Sequence, residues 1–294
     1  MFLRHGVFPA CSSKPKVIVK KQKVSRNEEL WDQLVQHGVL CSQPKLELTI
    51  AQAQQLINKH NFYKGDFRDK KVLCLASGGG QQSIAFALLG AQVTVVDFSA
   101  EQLKRDHQVA KKYEQPISIV KSDMRDLSFA DNDSFDLVYQ PYSINYIPRT
   151  QEIFDEVTRV LKPGGYYDLM LHNPYVHGTW KDGCWGKEWA HNELWRGKGY
   201  PLWQPYRDGY PIQTDDGHWN FFNAQEEPVR VPSPQEYRHT LSTVLNALLQ
   251  RGLDLCYFGE EKGTGFDHEP GTWEHYQSCA PPWLYIISRK RVDA

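Results

Sequence analysis

Short apolar runs alternate along the chain with longer segments whose apolar residues recur at helical spacing. The run over residues 72–75 is wholly apolar and short, which is typical of a strand buried on both faces. Strands and helices that alternate over short links predict a parallel sheet with helices on both faces. The predicted strands are 71–76, 92–97, 117–122, 135–140 and 164–172, and the helices between them are 81–89, 99–113 and 149–161.

The last two apolar runs, at 253–258 and 283–288, are separated by a polar stretch without a helical pattern. Two successive strands without a helical link cannot both run parallel in one sheet, so one is expected to be antiparallel. The predicted fold class is therefore α/β, a doubly wound, seven-stranded sheet with an antiparallel edge strand.

Other patterns divide the chain into segments around this sheet. Ser25 and Glu28 form a capping box that starts one helix, and a second helix is predicted over 49–60. Residues 173–232 are rich in aromatic side chains and too long for a bare loop, so we expect them to cap the crevice, with a β-hairpin near 210–231. The predicted segments are a basic tail (1–24), an N-terminal helical cover (25–62), the core (63–172), the aromatic cap insertion (173–232) and a C-terminal helix, at 237–250, with strands completing the core (233–294).

A glycine turn follows the first strand. Ser77, Gly78, Gly79 and Gly80 lead into an apolar helix, so free backbone N–H groups are expected to form an anion site at a helix N-terminus. Asp97 ends the second strand, where a carboxylate can accept both hydroxyl groups of a ribose. These features indicate a nucleoside cofactor without specifying which one.

Composition narrows the class of protein. The formal net charge is −1, so the overall charge gives no sign of a basic surface for nucleic acid. A nucleic-acid partner is therefore not expected. No apolar run approaches the ~20 residues of a membrane span. The six cysteines form no Cys-x-x-Cys pair, which favours a reducing cytosol and neither a disulfide scaffold nor a metal site. We therefore expect a soluble, cytoplasmic protein.

Later motifs separate two cofactor classes that share such a turn. Ser83 stands where a dehydrogenase fingerprint requires its third glycine or alanine, and no Tyr-x-x-x-Lys pair occurs. The stretches 122–124, 134–139 and 159–165, together with the glycine turn and Asp97-Phe98-Ser99, resemble those of class I S-adenosylmethionine-dependent methyltransferases. The nearest branch is the methyltransferase type-11 domain, and the resemblance covers about residues 45–172 strongly and 233–290 loosely.

This resemblance implies a Rossmann-like sheet, S-adenosylmethionine as the cofactor and a set of cofactor-binding positions. Those positions are Ala76, Ser77 and Gly78 for the methionine part, Asp97 for the ribose, Phe98, Asp123 and Met124 for the adenine, and Gln140 for the sulfonium. The chain departs from the family where Cys74 replaces an acid and Ala76 replaces the first glycine. Alanine is tolerated at that position if its φ is negative.

The acceptor side is predicted less fully. The sulfonium is an activated methyl donor, so the reaction needs in-line alignment, exclusion of water and, for some acceptors, a general base. His172, at the tip of the fifth strand, is the candidate base, and Tyr142, Tyr175 and Trp180 are candidate substrate contacts. We expect methyl transfer to a small molecule. Methylation of tRNA or protein, and a non-catalytic cofactor-binding protein of the same fold, remain alternatives, and the sequence does not indicate the oligomeric state.

Overall fold

The computed structural model describes residues 26–64, 67–177, 199–200, 202–213, 217–223, 225, 227–261 and 267–292. The predicted basic tail, Ser25 of the capping box and Trp180 lie outside these residues. Over the described part of the chain, no helix combines the length and apolar character needed to cross a bilayer.

Eleven strands are present in the described residues. They are β1 (Lys71–Leu75), β2 (Gln92–Asp97), β3 (Ile117–Lys121), β4 (Phe135–Pro141), β5 (Leu161–His172), β6 (Tyr210–Pro211), β7 (His218–Phe222), β8 (Pro228–Pro232), β9 (Tyr237–Arg238), β10 (Leu253–Glu260) and β11 (Trp283–Lys290). The α-helices are α1 (Arg26–Gln36), α2 (Ile50–Ile57), α3 (Gln82–Leu88), α4 (Ala100–Lys112), α5 (Gln151–Val160), α6 (Leu241–Gln250) and α7 (Trp273–Cys279), and 3-10 helices span Leu40–Ser42 and Ser143–Tyr146.

Seven strands form the central sheet in the order β10-β11-β5-β4-β1-β2-β3. β1 to β5 pair in parallel, whereas β11 runs antiparallel to both of its neighbours. The seven-stranded, doubly wound fold with an antiparallel strand is therefore confirmed, with that strand lying between β5 and the edge strand β10.

The buried residues pack against the two faces of this sheet. β1 supplies both faces, because Leu73 and Leu75 join the cluster that contains Phe154, while Val72 and Cys74 join the opposite cluster. Cys74 has no exposed surface, and burial raises the pKa of its thiol. The position where the family carries an acid is therefore part of the apolar core in this chain.

Two predicted boundaries in the C-terminal part are wrong, for different reasons. The polar link before β11 contains helix α7, which lacks a long apolar pattern but is capped by Thr272 and held by the fully buried Tyr276. The helix predicted from Tyr237 begins at Leu241, because Tyr237 and Arg238 pair with β6 instead and Thr240 caps the helix.

Segments outside the sheet approach the carboxyl ends of its strands. α1 packs against α4 and β8, and Asn27 donates hydrogen bonds to the carbonyl oxygens of Tyr146 and Gln235. In the predicted insertion, β7 and β8 form an antiparallel hairpin, close to the predicted position. α1 supplies Arg26, Asn27 and Trp31 to the lining of the crevice described below, and the hairpin residue Trp219 packs against Trp31.

Candidate active site

The glycine turn after β1 is bonded to carboxylates of the same chain. The N–H of Gly78 donates to Asp97 Oδ2 at 2.9 Å, and those of Gly79 and Gly80 donate to Asp106 at 3.0 and 3.2 Å. The prediction of a free anion site at this turn is therefore wrong. The N–H groups of its three glycines are occupied, and a phosphate placed there would meet two carboxyl groups.

Asp106 reaches the turn from α4, about two helical turns after the Ser99 cap of that helix. It is completely buried, accepts a further hydrogen bond from Ser83 Oγ, and burial raises its pKa to about 7. The two segments approach so closely that a Cβ atom at Gly80 would lie 2.7 Å from the carbonyl oxygen of Arg105. The glycine is required there by contact as well as by its φ of +69°.

Ala76 begins this turn with a left-handed backbone. Its φ is +44°, so the negative φ under which alanine would replace the family's glycine without strain is not found. A Cβ atom in this region is unfavourable by roughly 1–2 kcal/mol. Because Ala76 also lines the crevice, its methyl group forms part of the surface that a ligand would contact.

Asp97 lies at the tip of β2 with 7% of its surface exposed. Burial raises the pKa of its carboxyl group to about 6, although hydrogen bonds from Ser99, Gly78 and Phe98 oppose the shift. Oδ1 accepts from the Ser99 N–H at 2.9 Å. Since a carboxylate offers about four lone-pair positions, Asp97 retains acceptor capacity toward the crevice.

Two adjoining cavities, of about 230 and 400 Å³, make up the crevice at the carboxyl ends of the strands. They share Ala76, Phe98, Met124 and Tyr146. The smaller cavity adds Ser77, Gly78 and Asp97, and the larger one adds Asp123. The structure therefore brings together every predicted cofactor position except Gln140.

Gln140 lies behind the lining instead of facing the cavity. It is fully buried, accepts from the hydroxyl of Tyr167, and donates to Ser143 Oγ at 3.1 Å and to Met124 Sδ at 3.3 Å. Its polar atoms are thus engaged with the residues that form the crevice floor. The arrangement supports Met124 and does not favour direct contact between Gln140 and a sulfonium.

Asp123 lines the larger cavity together with Ala76, Phe98 and Met124. Its carboxylate accepts from Arg125 Nε and Nη2 at 2.9 and 2.7 Å. Burial opposes ionisation, yet the hydrogen bonds and the charge of Arg125 lower the pKa of Asp123. The carboxylate is therefore ionised and fixed in direction at neutral pH.

Sequence reasoning missed Gln102, which lines the smaller cavity beside Asp97. It is 3% exposed, and its Oε1 atom has no hydrogen-bond partner among the residues that the structure describes. A buried acceptor left without a donor is unfavourable unless a ligand or water supplies one. The signal was available, because Gln102 lies one helical turn after the Ser99 cap and so faces the glycine turn.

An aromatic wall, formed by Trp31, Tyr142, Tyr146 and Trp219, was also missed. Trp31 and Tyr146 meet edge to face at a centroid distance of 5.2 Å, and Trp219 lies 6.4 Å from Tyr146. Trp219 is 8% exposed, and the cluster that it joins includes Leu34 of α1, so its core is shared with that helix. Trp203, from the same aromatic-rich segment, is 48% exposed.

Of the described residues predicted to contact the acceptor, one lines the crevice and two do not. Tyr142 lines the smaller cavity. His172 lies behind it and stacks on His177 at 4.2 Å, and burial lowers the pKa of His172 to about 3, which does not favour a role as general base. Tyr175 is 57% exposed and stacks on Tyr206 outside the crevice.

Comparisons with known proteins agree with this geometry. Residues 73–168 match the family model described as a methyltransferase domain. The resemblance to class I S-adenosylmethionine-dependent methyltransferases of the type-11 branch is therefore confirmed over these residues of the core.

Parts of the chain are similar in sequence to curated proteins. It is 34% identical over 169 residues to "Uncharacterized methyltransferase YbaJ" from Bacillus subtilis, covering 52% of this chain and 64% of that protein. It is 36% identical over 196 residues to "Sterol methyltransferase-like 1" from Botryococcus braunii, covering 63% of this chain and 49% of that protein. The chain thus spans less than two thirds of these relatives.

A crystal structure of an S-adenosylmethionine-dependent methyltransferase from Mesorhizobium loti aligns with a TM-score of 0.57 and 19% identity. The alignment covers 82% of this chain and 100% of that one. A second, from Clostridium acetobutylicum, aligns with a TM-score of 0.53 and 15% identity over 90% of this chain and 97% of that one. At these identities the alignments establish the shared fold.

Proposed function

We propose that the protein transfers the methyl group of S-adenosylmethionine to a small-molecule acceptor by in-line displacement at the sulfonium. The observation that carries this proposal is the glycine turn, whose N–H groups are bonded to Asp97 and Asp106. A dinucleotide needs such donors for its pyrophosphate. S-adenosylmethionine carries no phosphate, so a turn whose glycine N–H groups are already occupied suits it.

The same region offers acceptors for the ribose of this cofactor. Asp97 is ionised above its pKa of about 6, and Gln102, whose buried Oε1 has no partner among the described residues, lines the same cavity. Ribose hydroxyl groups would donate to both atoms, which would also remove the unfavourable isolation of the Gln102 carbonyl. Phe98, Met124 and Asp123 continue the lining toward the adenine end.

A small acceptor is supported by the surroundings of the crevice. The aromatic wall stands beside the glycine turn, and rings in this position can exclude water and attract a sulfonium through cation–π contact. The matched relatives include a sterol methyltransferase-like protein and a demethylmenaquinone methyltransferase, 36% identical over 96 residues, whose names refer to apolar acceptors. The formal net charge of −1 gives no general attraction for RNA.

Calorimetry tests the cofactor. Wild-type protein should bind S-adenosylhomocysteine and not NADH. Asp97→Ala and Gln102→Ala should each weaken binding by about 1–3 kcal/mol, the range for hydrogen bonds to a charged or otherwise unpaired buried group. Asp131→Ala, a matched change at an exposed carboxylate, should bind as wild type does. Tight binding of NADH would overturn the assignment.

A transfer assay tests the acceptor. S-adenosylmethionine labelled in its methyl group would be incubated with sterols, quinols, phenols and amines, and in parallel with bulk tRNA and protein. Label should pass to a small molecule. Label found only in the macromolecules would reject the small-molecule acceptor while leaving the cofactor assignment intact, and binding without any transfer would favour a non-catalytic protein.

A further inference from the structure

Tyr142 occupies an unusual backbone position at the end of β4. Its φ is +63°, in the left-handed region that a bulky residue other than glycine rarely adopts. The conformation is held by a hydrogen bond from its N–H to Met170 O at 3.0 Å and by one from Asn145 Nδ2 to its own carbonyl at 3.0 Å. Such strain, where it is observed at a cavity, points to a positional requirement for the side chain.

The side chain of Tyr142 connects the crevice with a buried carboxylate. It lines the smaller cavity together with Ala76 and Gly78, and its hydroxyl donates to Glu236 Oε1 at 2.6 Å. Glu236 is 4% exposed and comes from the segment before β9, far from Tyr142 in the sequence. The second oxygen of this carboxylate lies 3.4 Å from His177 Nε2.

The groups around Glu236 determine which of them can take up a proton. Burial lowers the pKa of His172 to about 3 and that of His177 well below its usual value, so both rings are neutral at physiological pH. Arg238, on the same segment, donates to the carbonyl oxygens of His177 and Gln204, and the buried His239 ring contacts the Ile144 carbonyl. Burial raises the pKa of Glu236. Glu236 is therefore the basic group of this cluster.

We propose that Tyr142 and Glu236 form a proton relay that serves the methyl acceptor. Tyr142 is the catalytic residue that contacts the acceptor, and Glu236 is the positioning residue that receives the proton through it. The inference rests on the proposed function. Neither the glycine turn nor the family resemblance implies this relay, because Tyr142 and Glu236 are far apart in the sequence and meet only in the folded protein.

The step balances without another reagent. A lone pair on the acceptor oxygen or nitrogen attacks the methyl carbon, the carbon–sulfur bond breaks, and its electron pair stays on sulfur to give S-adenosylhomocysteine. The acceptor proton passes to the Tyr142 oxygen while the phenolic proton of Tyr142 passes to Glu236. Glu236 later returns its proton to solvent through the same hydroxyl. The relay therefore favours acceptors with an ionisable O–H or N–H group.

NMR of protein labelled with [13Cζ]tyrosine tests the shared proton without an acceptor. The resonance of Tyr142, assigned by its absence in Tyr142→Phe, should shift in one step as Glu236 titrates, both with and without S-adenosylhomocysteine. Glu236→Gln should abolish the step, because an amide cannot accept the proton. A flat Tyr142 resonance in the wild type, or a step that survives in Glu236→Gln, would overturn the relay.

Kinetics with an acceptor found by the transfer assay test its use. Tyr142→Phe and Glu236→Gln should each lower kcat by about 100-fold or more, the usual contribution of a general base, with S-adenosylhomocysteine affinity within about twofold of wild type. The acid limb of the kcat–pH profile should disappear in Glu236→Gln. Tyr113→Phe, which removes a hydroxyl that accepts from the Leu48 N–H on the far side of α4, is the matched control and should keep both kcat and the limb.

These results separate two failures. If the wild type does not bind S-adenosylhomocysteine, the proposed function fails, whatever the tyrosine resonance does. If it binds and transfers methyl groups while both variants keep kcat and the acid limb, the relay fails and the proposed function stands.

Discussion

The two halves of the crevice are built in different ways. The cofactor half, formed by the glycine turn, Asp97, Gln102 and Asp106, comes from one continuous strand–helix–strand–helix stretch, β1 to α4. The half that we propose for the acceptor, here called the acceptor half, is formed by the aromatic wall and Glu236. It combines α1, the end of β4, the 3-10 helix Ser143–Tyr146, the β7–β8 hairpin and the segment before β9.

This difference in construction predicts which properties a substitution in each half will alter. The cofactor half is fixed by the core, because its carboxylates hold the turn between two buried strands and a helix. Apart from the end of β4, the acceptor half is assembled from segments that lie outside the central sheet. Acceptor handling can therefore be altered in segments whose changes leave the cofactor half intact, and the following substitutions test that independence.

The largest effect is expected from Trp219, the hairpin residue of the aromatic wall. Trp219→Ala should lower the free energy of unfolding by about 3 kcal/mol, as truncation of a buried aromatic side chain does. Trp203→Ala should change it by less than about 0.5 kcal/mol because that side chain is half exposed. Chemical denaturation of both variants measures this. If Trp219→Ala also removed binding of S-adenosylhomocysteine, the halves would not be independent.

Substitution of Asp106, unlike that of Trp219, should lower both the stability of the fold and the affinity for the cofactor. Asp106→Ala leaves the buried N–H groups of Gly79 and Gly80 without their carboxylate, so we expect unfolding to become easier by about 2 kcal/mol. Affinity for S-adenosylhomocysteine should fall with it, because the turn loses its support. Calorimetry beside denaturation would detect both losses. A variant with unchanged cofactor affinity would mean that the turn holds its shape without Asp106.

The pH dependence of binding tests Asp97 itself. Burial raises its pKa to about 6, and ribose hydroxyl groups donate to the ionised form. Affinity for S-adenosylhomocysteine should therefore be full above pH 6 and fall by up to about tenfold per pH unit as pH decreases below it. In Asp97→Asn this dependence should be lost from an already weaker affinity. Equal slopes in the two proteins would assign the effect to another group.

Ala76 should give the smallest effect. Ala76→Gly relieves the left-handed alanine but makes the unfolded chain more flexible, so stability should rise by only about 0.5 kcal/mol. Thermal unfolding would resolve such a gain. A loss of stability would show that packing of the Ala76 methyl group outweighs its backbone strain.

The cofactor half was largely predictable because its information is local. The apolar runs located the central strands, and strand ends followed by Ser77, Asp97 or Asp123 marked the edge where a ligand binds. The same reasoning failed for the state of the turn, since the sequence suggested free N–H groups and gave no sign that Asp106 would occupy them. That contact depends on how closely α4 packs against the glycines.

The acceptor half was not predictable because its contacts, like that of Asp106 with the glycine turn, depend on how separate segments pack together. Tyr142 was identified from its place after β4, but its partner Glu236 lies in a segment that reads as an ordinary polar link. His172 looked accessible at a strand tip, but its ring stacks on that of His177 and meets Tyr142 edge to face. Aromatic richness indicated a cap over the crevice without showing that Trp219 would pack on α1 and Trp203 would not.

A crystal structure with S-adenosylhomocysteine bound tests the division of the crevice most directly. We predict that the ribose hydroxyl groups lie within hydrogen-bonding distance of Asp97 and Gln102, that the adenine contacts Phe98 and Met124, and that the sulfur faces Tyr142. A nucleoside bound outside these two cavities, or a sulfur directed away from the aromatic wall, would contradict the assignment of the two halves.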